Sequence, residues 1–328
     1  DNKIEFTYEN KESEDLDHYI TNTIIPLIND ESFDTIIIKD ILSDYPIDYY
    51  SLILSMHIRM STSLQNKRFL PIIIESDLPL NIHLKLHPFS SIFSTPSTYL
   101  LSNKDKLEDK LQEISENTKL EEINFKELFL DKISIKLPKD YLTSHSISNE
   151  WSIYKWSSIT KISKELIQDV IQKTESMLYF KYLKNKFEIE KESQDNEIIF
   201  NITGNVKVLY IDDECHKGWD SIFKKLFENI TYEAIGHDFK SKTQEEILLT
   251  TQTKIKSFKP DIVILDLRLT DSDFEDIHPE DLTGSKILLA NKTFNQGIQH
   301  IMFTATSRSI YLNYLNTQGI VGYIKKES

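Results

Sequence analysis

The stretch VLYIDDE, Val208 to Glu214, and its counterpart DIVILDLRL, Asp261 to Leu269, decide how this chain is read. Each is a short aliphatic run that ends abruptly in carboxylates. A run of that length reads as a strand buried on both faces, because a helix needs ten or more residues and a 3.6-residue period. Asp212, Asp213 and Glu214 therefore stand at the end of one strand and Asp266 at the end of another. Two further runs have the same form. MFTAT, Met302 to Thr306, carries Thr304 where its strand is expected to end, and GYIKKES, Gly322 to Ser328, carries Lys325 and Lys326.

Outward from these runs, strands and helices alternate from Val206 onward. Strands are expected over 206–211, 232–235, 261–265, 300–304 and 319–324, with helices over 219–229, 244–257, 284–290 and 309–316. Strands and helices at this spacing build a parallel sheet covered on both faces. Five such strands fit a doubly wound, flavodoxin-like fold, whose ligands sit outside the carboxyl ends of the strands. The topology then gathers Asp212, Asp213, Asp266, Thr304 and Lys326 in one crevice. Carboxylates so crowded raise one another's pKa unless a divalent cation sits among them, and Mg²⁺ suits oxygen ligands. A carboxylate beside such an ion can attack phosphorus as a nucleophile. A hydroxyl and an ammonium can hold the remaining phosphoryl oxygens.

The four motifs in this order resemble the receiver domain of two-component response regulators, over residues 206–328. The resemblance implies that Asp266 is the phosphoacceptor, that Asp212, Asp213, Asp266 and the backbone carbonyl of Arg268 hold Mg²⁺, and that Thr304 is the switch hydroxyl. Lys326 becomes the phosphate-sensing lysine and Tyr323 the aromatic whose rotamer reports the state. Lys326 is preferred to Lys325 because it lies 22 residues after Thr304, the family's separation. Adjacent strand residues also face opposite sides. The resemblance further implies a sensor histidine kinase or phosphotransfer protein as partner, and a signalling switch rather than an enzyme. Two rival readings stand beside it. One is a receiver-like docking scaffold that needs no phosphorylation. The other is an aspartyl-phosphate hydrolase, which would need an acid/base Asp where Arg268 stands.

Two departures accompany the resemblance. The segment Thr270 to Asp281 is long and carries Asp271, Asp273, Glu275, Asp276, Glu280 and Asp281, which read as a solvated acidic insertion at the mouth of the site. The chain stops two residues after Lys326, so the family's final helix is missing. Either the segment ends inside a longer protein or the domain signals through another face. The start at Asp1, without Met or a signal-peptide pattern, also fits a trimmed piece of something longer.

All seven glycines lie at or after Gly204, and this shift in composition places a boundary near residues 192–205. The expected organisation is an N-terminal α/β or mostly helical domain over 1–140, a helical linker over 141–203 and the receiver over 204–328. In the first part, strands are expected at Asp34 to Lys39 and Phe69 to Glu75, and helices at Tyr49 to Met60, 104–118 and 121–131. DTIIIKDILSDYPIDYYSLILSMHIRM and FLPIIIES resemble a worn receiver, with Asp40 in the acceptor's place and Ser76 in the hydroxyl's. No acidic pair precedes them and no lysine matches, so the resemblance implies an interaction module. Ile162, Leu166, Val170, Met177, Phe180 and Phe187 suggest one long helix from Ser157 to Lys191, a candidate homodimer stalk whose seam Lys173 and Lys184 interrupt. His145, in HSISNEW, reads as part of a packed helix start with Trp151 and Trp156 in the core rather than as a phosphotransfer histidine.

Composition bounds the rest. No apolar run approaches the roughly 20 residues of a membrane span. A net charge of −14 argues against nucleic acid as the main partner. The single cysteine, Cys215, excludes an intrachain disulfide, suits a reducing cytoplasm, and reads as a small buried residue because neighbouring carboxylates oppose thiolate formation.

Overall fold

A computed structural model describes residues 15–40, 49–102, 105–137, 141–187, 204–274, 278–305 and 309–326. Contacts divide these into two units. The described residues of Asp1–Leu137 and Lys173–Glu192 form the first, and those of Pro138–Gln172 and Ser193–Ser328 form the second.

The first unit opens with a helical run, α1 (Leu16–Tyr19) and α2 (Ile25–Asp30) joined by a single π turn. Strands β1 (Ile36–Lys39), β2 (Ile72–Glu75) and β3 (Thr98–Leu101) then form a parallel sheet in that order. The parallel pairing requires crossovers, which α3 (Tyr50–Met60) and α4 (Leu80–Leu86) supply. Helix α5 (Leu107–Glu116) follows the sheet. This part is α/β, with a third strand, TYLL, that its mixed composition concealed. Ile20, Ile24, Leu52, Met56, Ile72, Ile74 and Phe129 close the core together with Leu178 and Tyr182 of the later helix α8 (Leu178–Phe187).

Without glycine, this stretch places ordinary side chains in left-handed backbone at Tyr49 (φ 47), Gln65 (φ 50) and Ser97 (φ 62). Each costs about 1–2 kcal/mol relative to a right-handed conformation. Arg59 ties two of these turns to the sheet. Its fully buried guanidinium donates to the carbonyls of Arg68 (2.5 Å), Leu70 (2.8 Å) and Ser97 (2.6 Å). Burial pulls its pKa down to about 9, which leaves it charged at neutral pH.

In the second unit, β4 (Lys207–Ile211), β5 (Thr231–Ile235), β6 (Ile262–Leu265), β7 (Gln299–Thr304) and β8 (Gly322–Lys325) form one parallel sheet in the order β5-β4-β6-β7-β8. The reason the runs read as apolar throughout is plain from their two faces. Leu209, Ile211, Val263, Leu265 and Met302 pack against α10 (Gln244–Phe258), α11 (Thr283–Phe294) and α12 (Ser309–Thr317). Val208, Tyr210, Ile264 and Phe303 pack against α9 (Trp219–Leu226). One eight-residue helix cannot cover that second face. Helix α6 (Tyr141–Thr160), the 3-10 turn Lys164–Ile167 and the start of α7 (Gln168–Ser176) complete it through Ile153, Ile167 and Val170. The side-chain oxygen of Asn149 on α6 accepts the indole N–H of Trp219 at 2.7 Å.

One long helix from Ser157 to Lys191 does not form. Helix α6 ends at Thr160, Lys161 turns left-handed (φ 53), a short 3-10 turn spans Lys164–Ile167, and α7 and α8 are separate. The three- and four-residue spacing marks no single buried face: Leu166 and Phe187 are exposed, and the buried positions serve two cores. Val170 belongs to the second unit's core and Leu178 to the first's. The dimer stalk that a continuous seam would have made loses its basis, residues 188–191 lying outside the described residues. Trp151 and Trp156 are half-buried rather than fully in the core, and the side chain of His145 lies outside the described residues.

Candidate functional site

At the carboxyl ends of the neighbouring parallel strands β4 and β6 the chain places Asp212 and Asp266, both buried, at the point where the strand order β5-β4-β6 reverses direction. Lys326, immediately after β8, is also buried and lies between them. Its ammonium is 2.6 Å from Asp266 Oδ2 and 2.7 Å from Asp212 Oδ2. Its backbone N–H donates to the Thr304 carbonyl at 3.0 Å, which extends the β7 to β8 ladder to the site. Lys326, not Lys325, is thus the lysine that reaches the carboxylates. The Thr304 hydroxyl lies near enough to Asp266 to favour its ionised form, and is buried with it. Asp212, Asp213 and Asp266 each present an oxygen within 4.8 Å of the others.

The remaining bonds show which oxygens are committed. Asp212 Oδ1 accepts the Glu214 N–H at 2.7 Å, while Oδ2 accepts the Tyr210 hydroxyl as well as Lys326. Asp266 Oδ1 accepts the Leu267 N–H at 2.6 Å. Asp213 is the partly exposed member of the trio. Burial, then Asp212 and Asp266, push its carboxyl up to about 8. Burial likewise raises Asp266, with Lys326 opposing and Asp212 adding to the shift.

A pH dependence follows. Asp213 binds its proton more tightly folded than unfolded, so between about pH 4 and pH 8 the folded state carries the extra proton. Stability of the metal-free second unit should therefore fall as pH rises through that window, by at most about 1.4 kcal/mol per pH unit. Denaturation followed by tryptophan fluorescence at pH 5 and pH 8 checks this. A flat profile would mean that Asp213 is ionised throughout.

Two glycines let the loops close on the site. Gly236, after β5, has φ +132°, and a Cβ there would lie 2.0 Å from the Asp212 carbonyl oxygen. At Gly284, in the first turn of α11, a Cβ would meet the Asp266 carbonyl oxygen at 2.3 Å. Arg268 is buried with its guanidinium over the Phe274 ring, and Tyr323 is half-buried against the α11 and α12 side of the core.

The long acidic segment is not simply a solvated insertion. Asp273 is fully buried and its carboxylate accepts the N–H groups of Leu269 (2.8 Å), Thr270 (3.1 Å) and Thr283 (2.9 Å) and the Thr283 hydroxyl (3.0 Å). It is the organiser of its own loop. Glu275 and Asp276 lie outside the described residues. Asp273→Asn would turn an amide donor toward those N–H groups and should cost about 2–3 kcal/mol, the scale of hydrogen bonds to a charged group. Urea denaturation followed by tryptophan fluorescence measures it. A change below about 0.5 kcal/mol, the size of an ordinary surface substitution, would count against the role.

The first unit repeats the geometry at a reduced site. Asp40 follows β1 and Ser76 follows β2, and the Ser76 hydroxyl donates to Asp40 Oδ2 at 2.5 Å. Ser51 donates to Oδ1 at 2.7 Å. His83, buried on α4, has Nε2 3.0 Å from Ser76 Oγ and 3.7 Å from Asp40 Oδ2. Hydroxyls and an imidazole thus stand where the second site has an ammonium.

Residues 1–101 match the family model described as an inactive receiver domain. That match places a pseudo-receiver domain in the N-terminal region. No curated protein matches the chain. Among solved structures, a two-component response regulator of the LuxR family from an Aurantimonas species is similar at 16% identity, over 38% of this chain and 76% of that one, with a TM-score of 0.28. A CheY-like response regulator receiver domain protein from Methanospirillum hungatei is similar at 20% identity over 38% and 82%, TM-score 0.28. A response regulator receiver protein from Burkholderia phymatum is similar at 18% over 37% and 83%, TM-score 0.26.

Sequence reasoning missed Tyr210, His83 and Ser51, and read Asp273 only as one of six solvated acids. Tyr210 was accessible to it, since residues two apart on a strand share a face and Tyr210 precedes Asp212 by two. His83 and Ser51 reach Asp40 from helices, and no strand pattern could have indicated them.

Proposed function

We propose that the second unit is a phosphoacceptor receiver and the first an inactive receiver acting as an interaction module, in a two-component type of signalling. The observation that carries the reading is Lys326 held 2.6 Å from Asp266 at the strand ends, with Asp212 and Asp213 beside them. In the proposed step an Asp266 carboxylate oxygen attacks the phosphorus of a phosphohistidine donor. An O–P bond forms as the donor's N–P bond breaks, and the released imidazole nitrogen takes a proton. A sensor histidine kinase or phosphotransfer protein would present that donor.

The all-oxygen set of Asp212, Asp213 and Asp266 fits Mg²⁺, with the Arg268 carbonyl as a further ligand, and the ion would supply positive charge to the phosphoryl oxygens. Lys326 leaves Asp266 for a phosphoryl oxygen, and the Thr304 hydroxyl donates to another. That displacement gives the half-buried Tyr323 a reason to repack, biasing a two-state surface. This is a switch, not an enzyme, and its setting would be the cytoplasm. Among the described residues no helix is long and apolar enough to cross a membrane.

The first unit supports a different role. The Asp40 carboxylate is engaged by Ser51 and Ser76 with His83 close by, and Ser102 rather than lysine follows β3.

Incubation with acetyl phosphate or phosphoramidate and Mg²⁺, read by intact mass, tests the reading. The wild type should gain one phosphoryl group, and Asp266→Asn or omission of the metal should abolish the gain. An equal gain in wild type and variant, or none, would leave the docking-scaffold reading in its place.

A further inference from the structure

Beside the carboxylates lies a second cluster of metal-ligating groups with different chemistry. Cys215, in the turn after β4, and His237, in the loop after β5, bring Sγ to 3.6 Å from Nδ1 and 3.8 Å from Nε2. His216 adds a third donor, and all three ligand atoms lie within 4.8 Å of one another. We propose that Cys215, His216 and His237 form a three-ligand site for a thiophilic divalent transition metal of the Zn²⁺ class, with solvent in the fourth position.

Geometry supports the assignment. Zn–S and Zn–N bonds of about 2.3 and 2.0–2.1 Å at a tetrahedral angle put sulfur and nitrogen about 3.6 Å apart. That is the spacing already present between Cys215 and His237. Both loops are anchored independently of any ion. Cys215 N–H donates to the Asp212 carbonyl at 3.3 Å, and Gly236 lies against the same peptide. The cysteine is buried while both histidines are exposed, so an ion arrives from solvent through the imidazoles. One thiolate and two imidazoles select against Mg²⁺, which prefers oxygen, so the two neighbouring sites sort different ions. Burial, then Asp212 and Asp220, push the free Cys215 thiol up to about 12, so the thiolate forms only as the metal replaces its proton.

On binding, the Cys215 S–H gives its proton to solvent as the S–metal bond forms. Each imidazole donates one nitrogen lone pair and keeps its other ring N–H. The ion would staple the loops after β4 and β5, and the first of these carries Asp212 and Asp213. The proposal does not depend on phosphorylation of Asp266.

Co²⁺ titration of the full chain provides the test, because thiolate ligation gives a near-ultraviolet charge-transfer band that carboxylates cannot. One equivalent should produce the band, Zn²⁺ should displace it, and one proton per chain should be released in weak buffer. Cys215→Ser and the exposed-site variant His237→Ala should both lose the band, while Asp213→Asn retains it. Should no band form, or should it survive Cys215→Ser, the cluster is a thiol–imidazole hydrogen bond only. Loss in Asp213→Asn alone would assign the ion to the carboxylates and overturn the proposal.

Discussion

Metal-free Lys326→Met should be less stable in its second unit by about 3–5 kcal/mol, the cost of removing one partner from a buried ion pair. Lys326 is the only cation the described residues place against both Asp212 and Asp266, and all three side chains are buried. Its removal leaves two buried carboxylates with Asp213 beside them. Those groups would then hold their protons still more tightly, so the deficit should widen from pH 5 to pH 8. If the carboxylates hold Mg²⁺, adding it should restore more stability to the variant than to the wild type. Urea denaturation of both proteins at the two pH values, with and without Mg²⁺, gives the comparison. A pH-independent loss below about 1 kcal/mol would be typical of a surface pair and would refute the role.

Arg59→Ala should have a comparable effect in the other unit. It removes the donor from the carbonyls of Arg68 and Leu70, while Ser97 keeps the Ile72 N–H at 2.9 Å, and each unsatisfied buried group costs about 1–3 kcal/mol. Arg59→Lys should recover only part, because one ammonium cannot reproduce the planar fork that spans three carbonyls. The chain offers an internal control. All three tryptophans, Trp151, Trp156 and Trp219, fall in the second unit. Arg59→Ala should therefore lower the far-ultraviolet circular dichroism transition and leave the tryptophan transition in place. Movement of both together would show that the units unfold as one.

Much of the second unit was legible because its strands are buried on both faces. Val208 to Ile211 and Ile262 to Leu265 are then short, largely aliphatic runs, broken only by Tyr210, whose ends are marked by the carboxylates they deliver. The candidate site residues Asp212, Asp266, Thr304 and Lys326 were legible for the same reason, each lying at the carboxyl end of a strand or immediately after it. Legibility fails where a side chain's role is set by partners distant in sequence. Asp273 looks like one acid among six until the N–H groups of Leu269 and Thr283 are seen to converge on it. Arg59 looks like the polar end of an amphipathic helix until its guanidinium is found among carbonyls up to 38 residues away. Strand β3 escaped notice because half-buried Tyr99 and Leu100 sit in it without alternation. The helical stretch after Tyr141 misled because regular spacing reports a buried face without saying which core buries it.

That last division bears on how the chain is made. It passes from the first unit to the second at residue 138, returns at 173 and leaves again at 193. During vectorial synthesis the first sheet is complete by Leu101, yet its core waits for Leu178 and Tyr182. Helix α6 emerges before the sheet it will cover. A nascent chain arrested near residue 170 would thus hold an unclosed core and an unpartnered helix at once. An excised fragment starting at residue 204 would have Trp219 and Phe303 facing solvent where Ile153 belongs. Neither unit can therefore be cut out as one uninterrupted segment, because residues 141–187 carry parts of both cores.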